Sequence, residues 1–308
     1  MMEKEEIYDV LIVGGGPAGM TAGLYAGRKN LKTILISQDL GGQALWTLTI
    51  ENFMGYLSIS GPDLMAKFQR QISSSGIRIR VPDEAVELKK ESALFVIKTK
   101  FGGEYRGKTV IVATGKRPKR LDVPGEKELT GRGVSYCVTC DAPLFANKSV
   151  AVIGGGNSAV SAALDLSKLA SKVYLVARSA LKADPILIEK LGKEEKVTVL
   201  LGFLPKEILG KERVVGIVVK DQKKGEEKEI SLDGVFVEVG LVPNTDFLKG
   251  LLAVNELGEI IVNCNCETSE EGVFACGDVT NVSGKQIIIA CGEGAKAALA
   301  AYRYLLKR

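Results

Sequence analysis

The 308-residue sequence contains no histidine. That removes every mechanism built on an imidazole base, Ser-His and Cys-His pairs included, and every histidine-ligated zinc site. A proton donor in this chain has to be a carboxylic acid, a thiol, a tyrosine, a lysine or water. Aromatic residues make up only 6% and do not interleave with basic ones, which argues against single-strand stacking platforms. The 41 basic and 37 acidic side chains nearly cancel, and no Lys/Arg block marks a nucleic-acid footprint. No apolar run approaches the ~18 residues of a membrane span. The apolar opening, Tyr8 to Ala26, carries Asp9, three consecutive glycines and a proline behind an acidic flank, so it does not read as a signal peptide. Six cysteines are too few for a secreted disulfide framework. We expect a cytoplasmic protein without a metal site, of two domains at ~150 residues each.

What is present is one unit twice. Residues 7–13, IYDVLIV, read as a buried parallel strand running into Gly14-Gly15-Gly16-Pro17-Ala18-Gly19, a helix to about Asn30 and a strand Lys32–Ile36. Residues 149–153, SVAVI, run into Gly154-Gly155-Gly156-Asn157-Ser158-Ala159, a helix to Leu169 and a strand Lys172–Val176. Such turns let backbone amides approach a pyrophosphate at a helix N-terminus, and the last small residue lets helix and strand pack closely. One such turn is weak evidence. Two in the right strand and helix context imply two dinucleotides, most simply a bound flavin and a mobile nicotinamide. After the second copy, Val176-Ala177-Arg178 offers no carboxylate to an NAD ribose, whereas Arg178 and Lys182 suit a 2′-phosphate. NADPH is therefore favoured, with NADH as the alternative.

Between the copies lies Cys137-Val138-Thr139-Cys140-Asp141. Cysteines at this spacing close a small disulfide ring competent for exchange. Structural zinc would need two further ligands, and Cys264-Asn265-Cys266 matches a zinc knuckle poorly. That pair is the weaker candidate for a second redox couple. Cys276 and Cys291 sit in apolar runs and read as small buried residues. With no imidazole available, Asp141 is the candidate acid for a nascent thiolate. A helix-capping role is its other reading, and the two roles can hold together.

The whole chain resembles the low-molecular-weight thioredoxin reductases and the related flavoprotein subunit of alkyl hydroperoxide reductase. The residues that carry the resemblance are Gly14–Gly19, Gly41-Gly42-Gln43, Glu51-Asn52, Ala113-Thr114-Gly115, Cys137–Asp141, Gly154–Ala159, Gly277-Asp278-Val279 and Lys285-Gln286-Ile287. The resemblance implies an α/β fold of two Rossmann-like, three-layer dinucleotide-binding domains, the second inserted into the first. The FAD domain would comprise 1–118 and 243–308, and the NAD(P)H domain 119–242 would carry the cysteine pair. Joints at Gly115–Pro118 and Leu241–Asn244 fit two crossover strands.

Residue by residue, the resemblance gives FAD to Gly14, Gly16, Pro17, Ala18 and Gly19, with Gly42, Gln43 and Asn52. Thr114, Gly115 and Gly277 follow, Asp278 would hold the ribityl chain, and Gln286 and Ile287 would lie near the flavin ring. NAD(P)H would fall to Gly154, Gly156, Asn157, Ser158 and Ala159, with Arg178 and Lys182. Cys140 would face the flavin, Cys137 would attack the partner's disulfide, and Asp141 would be the general acid. The family also implies a homodimer and a small domain that rotates between nicotinamide and disulfide duties.

The chain departs from the family at the second strand end, where thioredoxin reductases carry His-Arg-Arg and this sequence reads Ala177-Arg178-Ser179. Leu181–Asp184 and Lys285–Ala290 look closer to the hydroperoxide-reductase flavoprotein, an NADH enzyme, yet the acidic residue of that protein near Ala177 is absent too. No thioredoxin-like domain precedes Ile7, so we expect the acceptor to be a separate thioredoxin- or glutaredoxin-like dithiol protein. The expected function is transfer of electrons from NAD(P)H through FAD and Cys137–Cys140 to that protein. Rival readings are an NADH-dependent reductase supporting a peroxiredoxin, a flavin oxidase, and a nucleotide-binding module without turnover.

Overall fold

A computed structural model describes residues 6–47 and 49–308. Its packing divides the chain into two compact units, Met1–Arg117 with Val242–Arg308, and Pro118–Leu241. The chain crosses between them at Lys116–Pro118 and Leu241–Pro243, which pair as a two-stranded ribbon.

The first unit is built on the strand Ile7–Val13, which lies between Thr33–Ile36 and Glu104–Val112, parallel to both. Arg78–Arg80 extends one edge. On the other side, Glu104–Val112 pairs with antiparallel Leu94–Thr99 through its first half and with parallel Val273–Ala275 through its second. A strand buried on both faces must be apolar at odd and even positions alike, which is why IYDVLIV shows almost no alternation. Val10 and Ile12 face a helical layer of Met20, Leu64, Met65 and Ala297, while Leu11 and Val13 face Leu88, Phe95, Ile260 and Val273. Truncating a fully buried isoleucine such as Ile12 to alanine would cost ~2–5 kcal/mol, a large share of a domain's stability.

The second unit repeats the plan. Five parallel strands stand in the order Val197–Leu201, Lys172–Ala177, Ser149–Ile153, Gly234–Val237, Val134–Ser135. Val150 and Val152 pack on helix residues Ala159, Val160 and Ala163. Ala151 and Ile153 pack on Ile217, Val219 and Ile230 of a three-stranded antiparallel sheet, Phe203–Gly210, Val214–Asp221 and Glu227–Ser231. Both units are thus three-layered around a Rossmann-type parallel sheet. The helices read from the sequence as reaching Asn30 and Leu169 end at Arg28 and Ser167.

Helix starts distinguish the elements. Helix Gly61–Ser73 is capped by Ser60, whose Oγ accepts from the Asp63 N–H. Helices Pro17–Arg28, Asn157–Ser167 and Ile287–Leu305 have no side-chain cap. Their first-turn N–H groups lack the partner that a cap supplies.

Candidate active site: two glycine turns and a disulfide

In the first unit the turn after Ile7–Val13 is shaped by two glycines. Gly14 has φ +110°, and a Cβ there would stand 2.2 Å from the Ala113 carbonyl oxygen. A Cβ on Gly19 would stand 1.9 Å from the Gly14 carbonyl oxygen, so the helix can lie this close to the strand only without one. Gly16 is different: nothing lies within 4 Å of where its Cβ would be. It needs no glycine for the fold, and it leaves open the space into which a phosphate would come.

Of the other residues assigned to this site, two glycines lie at the turn and several of the rest are held by bonds of their own. Gly42 approaches Gly16, and Gly277 approaches Ala18 next to Pro17. Gln43 Nε2 donates to the Lys116 carbonyl at 2.8 Å, and Asn52 Nδ2 donates to Gln286 Oε1 at 3.1 Å. Thr114 and Asn244 exchange side-chain-to-carbonyl bonds of 2.8 Å in both directions, fixing the chain just before Gly115. Ile287 opens the uncapped closing helix.

Two carboxyl groups around this turn are under-used. Asp278 makes no side-chain hydrogen bond among the described residues, and burial raises its carboxyl above the usual range. Glu293 takes the Gly277 N–H on Oε2 at 2.7 Å, leaving Oε1 buried without a partner, and burial raises its carboxyl too. Open space at Gly16, an uncapped helix start and unpartnered acceptors fit a ligand with a pyrophosphate between two hydroxyl-bearing halves, which is the chemistry of FAD.

Sequence reasoning missed a buried charge cluster in the same unit. Lys116 and Glu259 form an ion pair with both side chains almost wholly buried, and Lys285 Nζ stands 3.5 Å from the same Glu259 oxygen. Burial pushes the Lys285 ammonium down, and Lys116 beside it adds to this.

The second unit carries the matching turn. Gly154 has φ +149°, and its Cβ would meet the Glu238 carbonyl oxygen at 2.3 Å. Gly156 is open, as Gly16 is, and Ala159 is fully buried where the first turn has Gly19. Asn157 and Asp184 bond reciprocally, Nδ2 to Oδ2 at 3.2 Å and the Asp184 N–H to Oδ1 at 2.7 Å. The Lys182 N–H donates to the Gly155 carbonyl at 2.7 Å. The Arg178 carbonyl accepts from Gln222 Nε2 at 2.6 Å. Arg178 and Lys182 are both exposed at this strand end. Ser158 donates its hydroxyl to Glu238, a residue the sequence reading did not single out.

Cys137 and Cys140 are joined as a disulfide at the start of the four-residue helix Val138–Asp141. Cys137 is itself the helix cap, its Sγ accepting from the Cys140 N–H at 3.2 Å. Asp141 makes no side-chain cap bond, so the capping alternative is set aside. Burial raises its carboxyl, offset only by the Ser135 hydroxyl. Ser135 Oγ also accepts from the Cys137 N–H at 3.0 Å, so one hydroxyl touches both the cysteine loop and the acid. Cys264 and Cys266 are not bonded to each other; Cys264 is exposed and Cys266 buried, its thiol pushed up to about 11 by burial. Cys276 is buried and Cys291 partly so. Among the described residues no three Cys, Asp or Glu side chains converge as metal ligands. No helix among them is long and apolar enough to cross a membrane.

Residues 8–294 match the pyridine nucleotide-disulphide oxidoreductase family. An alkyl hydroperoxide reductase subunit of Pseudomonas putida is 46% identical over 99% of this chain, and an NADH dehydrogenase of Bacillus subtilis 44% identical over 98%. The chain spans about 60% of the length of each of these relatives. Among solved structures, thioredoxin reductase from Streptococcus pyogenes superposes with a TM-score of 0.94 at 38% identity, covering 99% of this chain and 100% of that one. The chain belongs to the pyridine nucleotide-disulphide oxidoreductase family.

Proposed function

We propose that this family member is a thioredoxin reductase-type protein-disulfide reductase, taking electrons from NAD(P)H and delivering them to a small thioredoxin- or glutaredoxin-like dithiol protein. The observation that carries this reading is the Cys137–Cys140 disulfide with a buried, partner-poor Asp141 one residue on, in a chain that also holds two dinucleotide turns. The first turn, with Asp278 and Gln286, would hold FAD; the second would hold the nucleotide. Bound FAD supplies two-electron transfer between the nicotinamide and the disulfide.

The protein's own part is thiol chemistry. Once the Cys137–Cys140 bond has taken up two electrons, Cys137 as thiolate attacks one sulfur of the acceptor's disulfide. A mixed disulfide forms and the acceptor's second sulfur leaves as thiolate. Cys140 then attacks Cys137, restoring the internal disulfide and releasing the acceptor as a dithiol, so two electrons leave with it. Asp141, protonated more readily than an ordinary aspartate, gives and retrieves the proton on the cysteine pair.

NADPH is the donor we favour, because Arg178 and Lys182 are exposed cations at a strand end that carries no carboxylate. The relatives named as an alkyl hydroperoxide reductase subunit and an NADH dehydrogenase favour a second reading, an NADH-dependent reductase serving a peroxiredoxin through a small dithiol protein. A homodimer and a cytoplasmic location complete the proposal. The test is anaerobic: FAD-loaded protein is mixed with NADPH or NADH and an oxidised thioredoxin-like protein, and the new thiols are counted. Thiols at a rate abolished by Cys140→Ser, with flavin bleaching by nucleotide retained, support the reading, and the ratio of the two rates selects the donor. Bleaching without thiols refutes it.

A further inference from the structure

The two glycine turns match in their bonding, and among their differences is one coupled pair of side chains. The Ala113 N–H donates to Val13 and the Glu238 N–H to Ile153, both at 2.8 Å, and each residue's carbonyl is the one its turn's first glycine packs against. Ala113 and Glu238 are therefore the same position of the repeat, as are Ala18 and Ser158. Where the first turn has two small apolar residues, the second has a hydroxyl hydrogen-bonded to a carboxylate. Glu238 is half-buried, and its other oxygen, Oε1, has no hydrogen-bond partner among the described residues. Burial raises its carboxyl from the usual range, and the bond from Ser158 offsets part of this. The Oε1 oxygen is open at the turn, free to accept from a ligand.

The sheet says what that is. Strands Lys172–Ala177 and Gly234–Val237 flank Ser149–Ile153 on opposite sides, so the order reverses at the central strand. A dinucleotide lies across the carboxyl ends of the strands at such a reversal, with the ribose next to its adenine near the end of the second strand. That end is Ala177-Arg178. The other half of the ligand then lies over the end of Gly234–Val237, and the residue that follows is Glu238.

We infer that Glu238, held by Ser158, is a positioning residue for the nicotinamide riboside half of the nucleotide, accepting hydrogen bonds from its hydroxyl or carboxamide N–H groups. The inference rests on the nucleotide role proposed for this unit. A carboxylate is acceptor-only, which suits a half rich in donors and repels the pyrophosphate, keeping the phosphates over the start of helix Asn157–Ser167. It also attracts the positive ring of the oxidised nucleotide more than the neutral reduced ring. The Ser158 hydroxyl is accordingly engaged with Glu238, and only the backbone of Ser158 remains for a phosphate.

The test uses the FAD-loaded protein and three ligands by calorimetry: NADP+, NAD+, and ADP, which has the adenosine and both phosphates but no nicotinamide riboside. Glu238→Ala should weaken both full nucleotides about tenfold, the value of one charge-assisted hydrogen bond, and leave ADP unchanged. Glu238→Gln should weaken both oxidised nucleotides and leave ADP unchanged, and Ser158→Ala should give a smaller loss with the same ADP control. Equal weakening of ADP and full nucleotides would reduce Glu238 to a prop for the turn and overturn the inference, as would wild-type affinity in Glu238→Ala. A wild-type protein that binds none of the three refutes the nucleotide role itself, and this inference with it.

Discussion

Gly16→Ala separates what the glycine turn does for the fold from what it does for a ligand. At Gly16 the backbone has φ −72° and ψ −175°, ordinary extended values for alanine, and the added methyl meets nothing within 4 Å. Lower entropy of the unfolded chain would stabilise by ~0.4–1 kcal/mol, and alanine's poorer standing as an N-cap offsets part of that. The apoprotein should melt within a few degrees of wild type. Gly19→Ala drives a methyl to 1.9 Å from a carbonyl oxygen, a backbone clash worth ~1–3 kcal/mol or more, so its apoprotein should be visibly less stable. Ligand binding reverses the order of interest. A methyl at Gly16 stands where the pyrophosphate meets the helix start, and losing two charge-assisted bonds at ~1.5 kcal/mol each weakens FAD on the order of a hundredfold. Titrating apoprotein with FAD, followed by flavin fluorescence, measures this directly. Gly156→Ala is the companion: it should leave FAD binding intact and weaken the nucleotide. If Gly16→Ala binds FAD as wild type does, the flavin does not use this turn. If Gly156→Ala loses FAD, the two turns have been assigned the wrong way round.

Asp141→Asn should slow thiol transfer by ~10²–10⁴, the usual contribution of a general acid, with flavin reduction by nucleotide retained in stopped flow. It should also raise stability near neutral pH. The folded carboxyl of Asp141 is raised, so the native state binds its proton more tightly, and stability falls as pH rises through the window above the ordinary aspartate range; asparagine removes that loss, and urea titrations at acid and neutral pH should show a gain only at the higher pH. Glu259→Gln leaves Lys116 buried without its anion and should cost ~3–5 kcal/mol in urea unfolding of the apoprotein. In the wild type, burial raises Glu259 but Lys116 and Asn255 outweigh it and hold it low, so this contribution is present above the usual glutamate range and lost only on strong acidification. A maleimide under native, oxidising conditions should label exposed Cys264 fast and spare Cys266 and Cys276, whose thiols burial holds protonated; labelling of Cys266 at a comparable rate would refute the burial argument.

The parts of this molecule legible from sequence are those whose signal is local. A β-branched run, a glycine turn and a helix are contiguous, so both dinucleotide turns could be read with their flanking strands, as could a cysteine pair with an acid attached. The illegible parts are charges paired through space. Lys116 and Glu259 are 143 residues apart, and neither stands out along the chain. Glu126, which takes N–H bonds from Leu121 and Asp122 and the hydroxyl of Tyr136, reads as one more glutamate in a charged stretch. Ser135 and Glu238 each follow or end a buried strand, and their importance lies in which side chain meets them across a turn. Periodicity reports which face is buried; it does not report which polar group on that face has been given a partner.

That distinction sorts the buried carboxylates of this chain. Burial alone would raise every one of them. Asp83 is almost wholly inaccessible, yet hydrogen bonds from Thr99, the Glu84 and Phe101 N–H groups and Arg80 more than reverse the effect, and its carboxyl is held low. Glu259 is held low in the same way by Lys116 and Asn255. Asp141, Glu238 and Asp278 are half-buried with at most one hydroxyl donor apiece, and all three are raised. The first kind is built for the fold, because donors that stabilise the anion leave it no use for a proton or a ligand. The second kind costs the fold something, and a chain keeps it where a proton or a ligand uses the acceptor. The three stand beside the disulfide, at the second glycine turn and at the first. In a sequence without histidine, withholding donors from a half-buried carboxyl raises an acid above the ordinary aspartate range, and in the proposed mechanism Asp141 is that acid beside the cysteine pair.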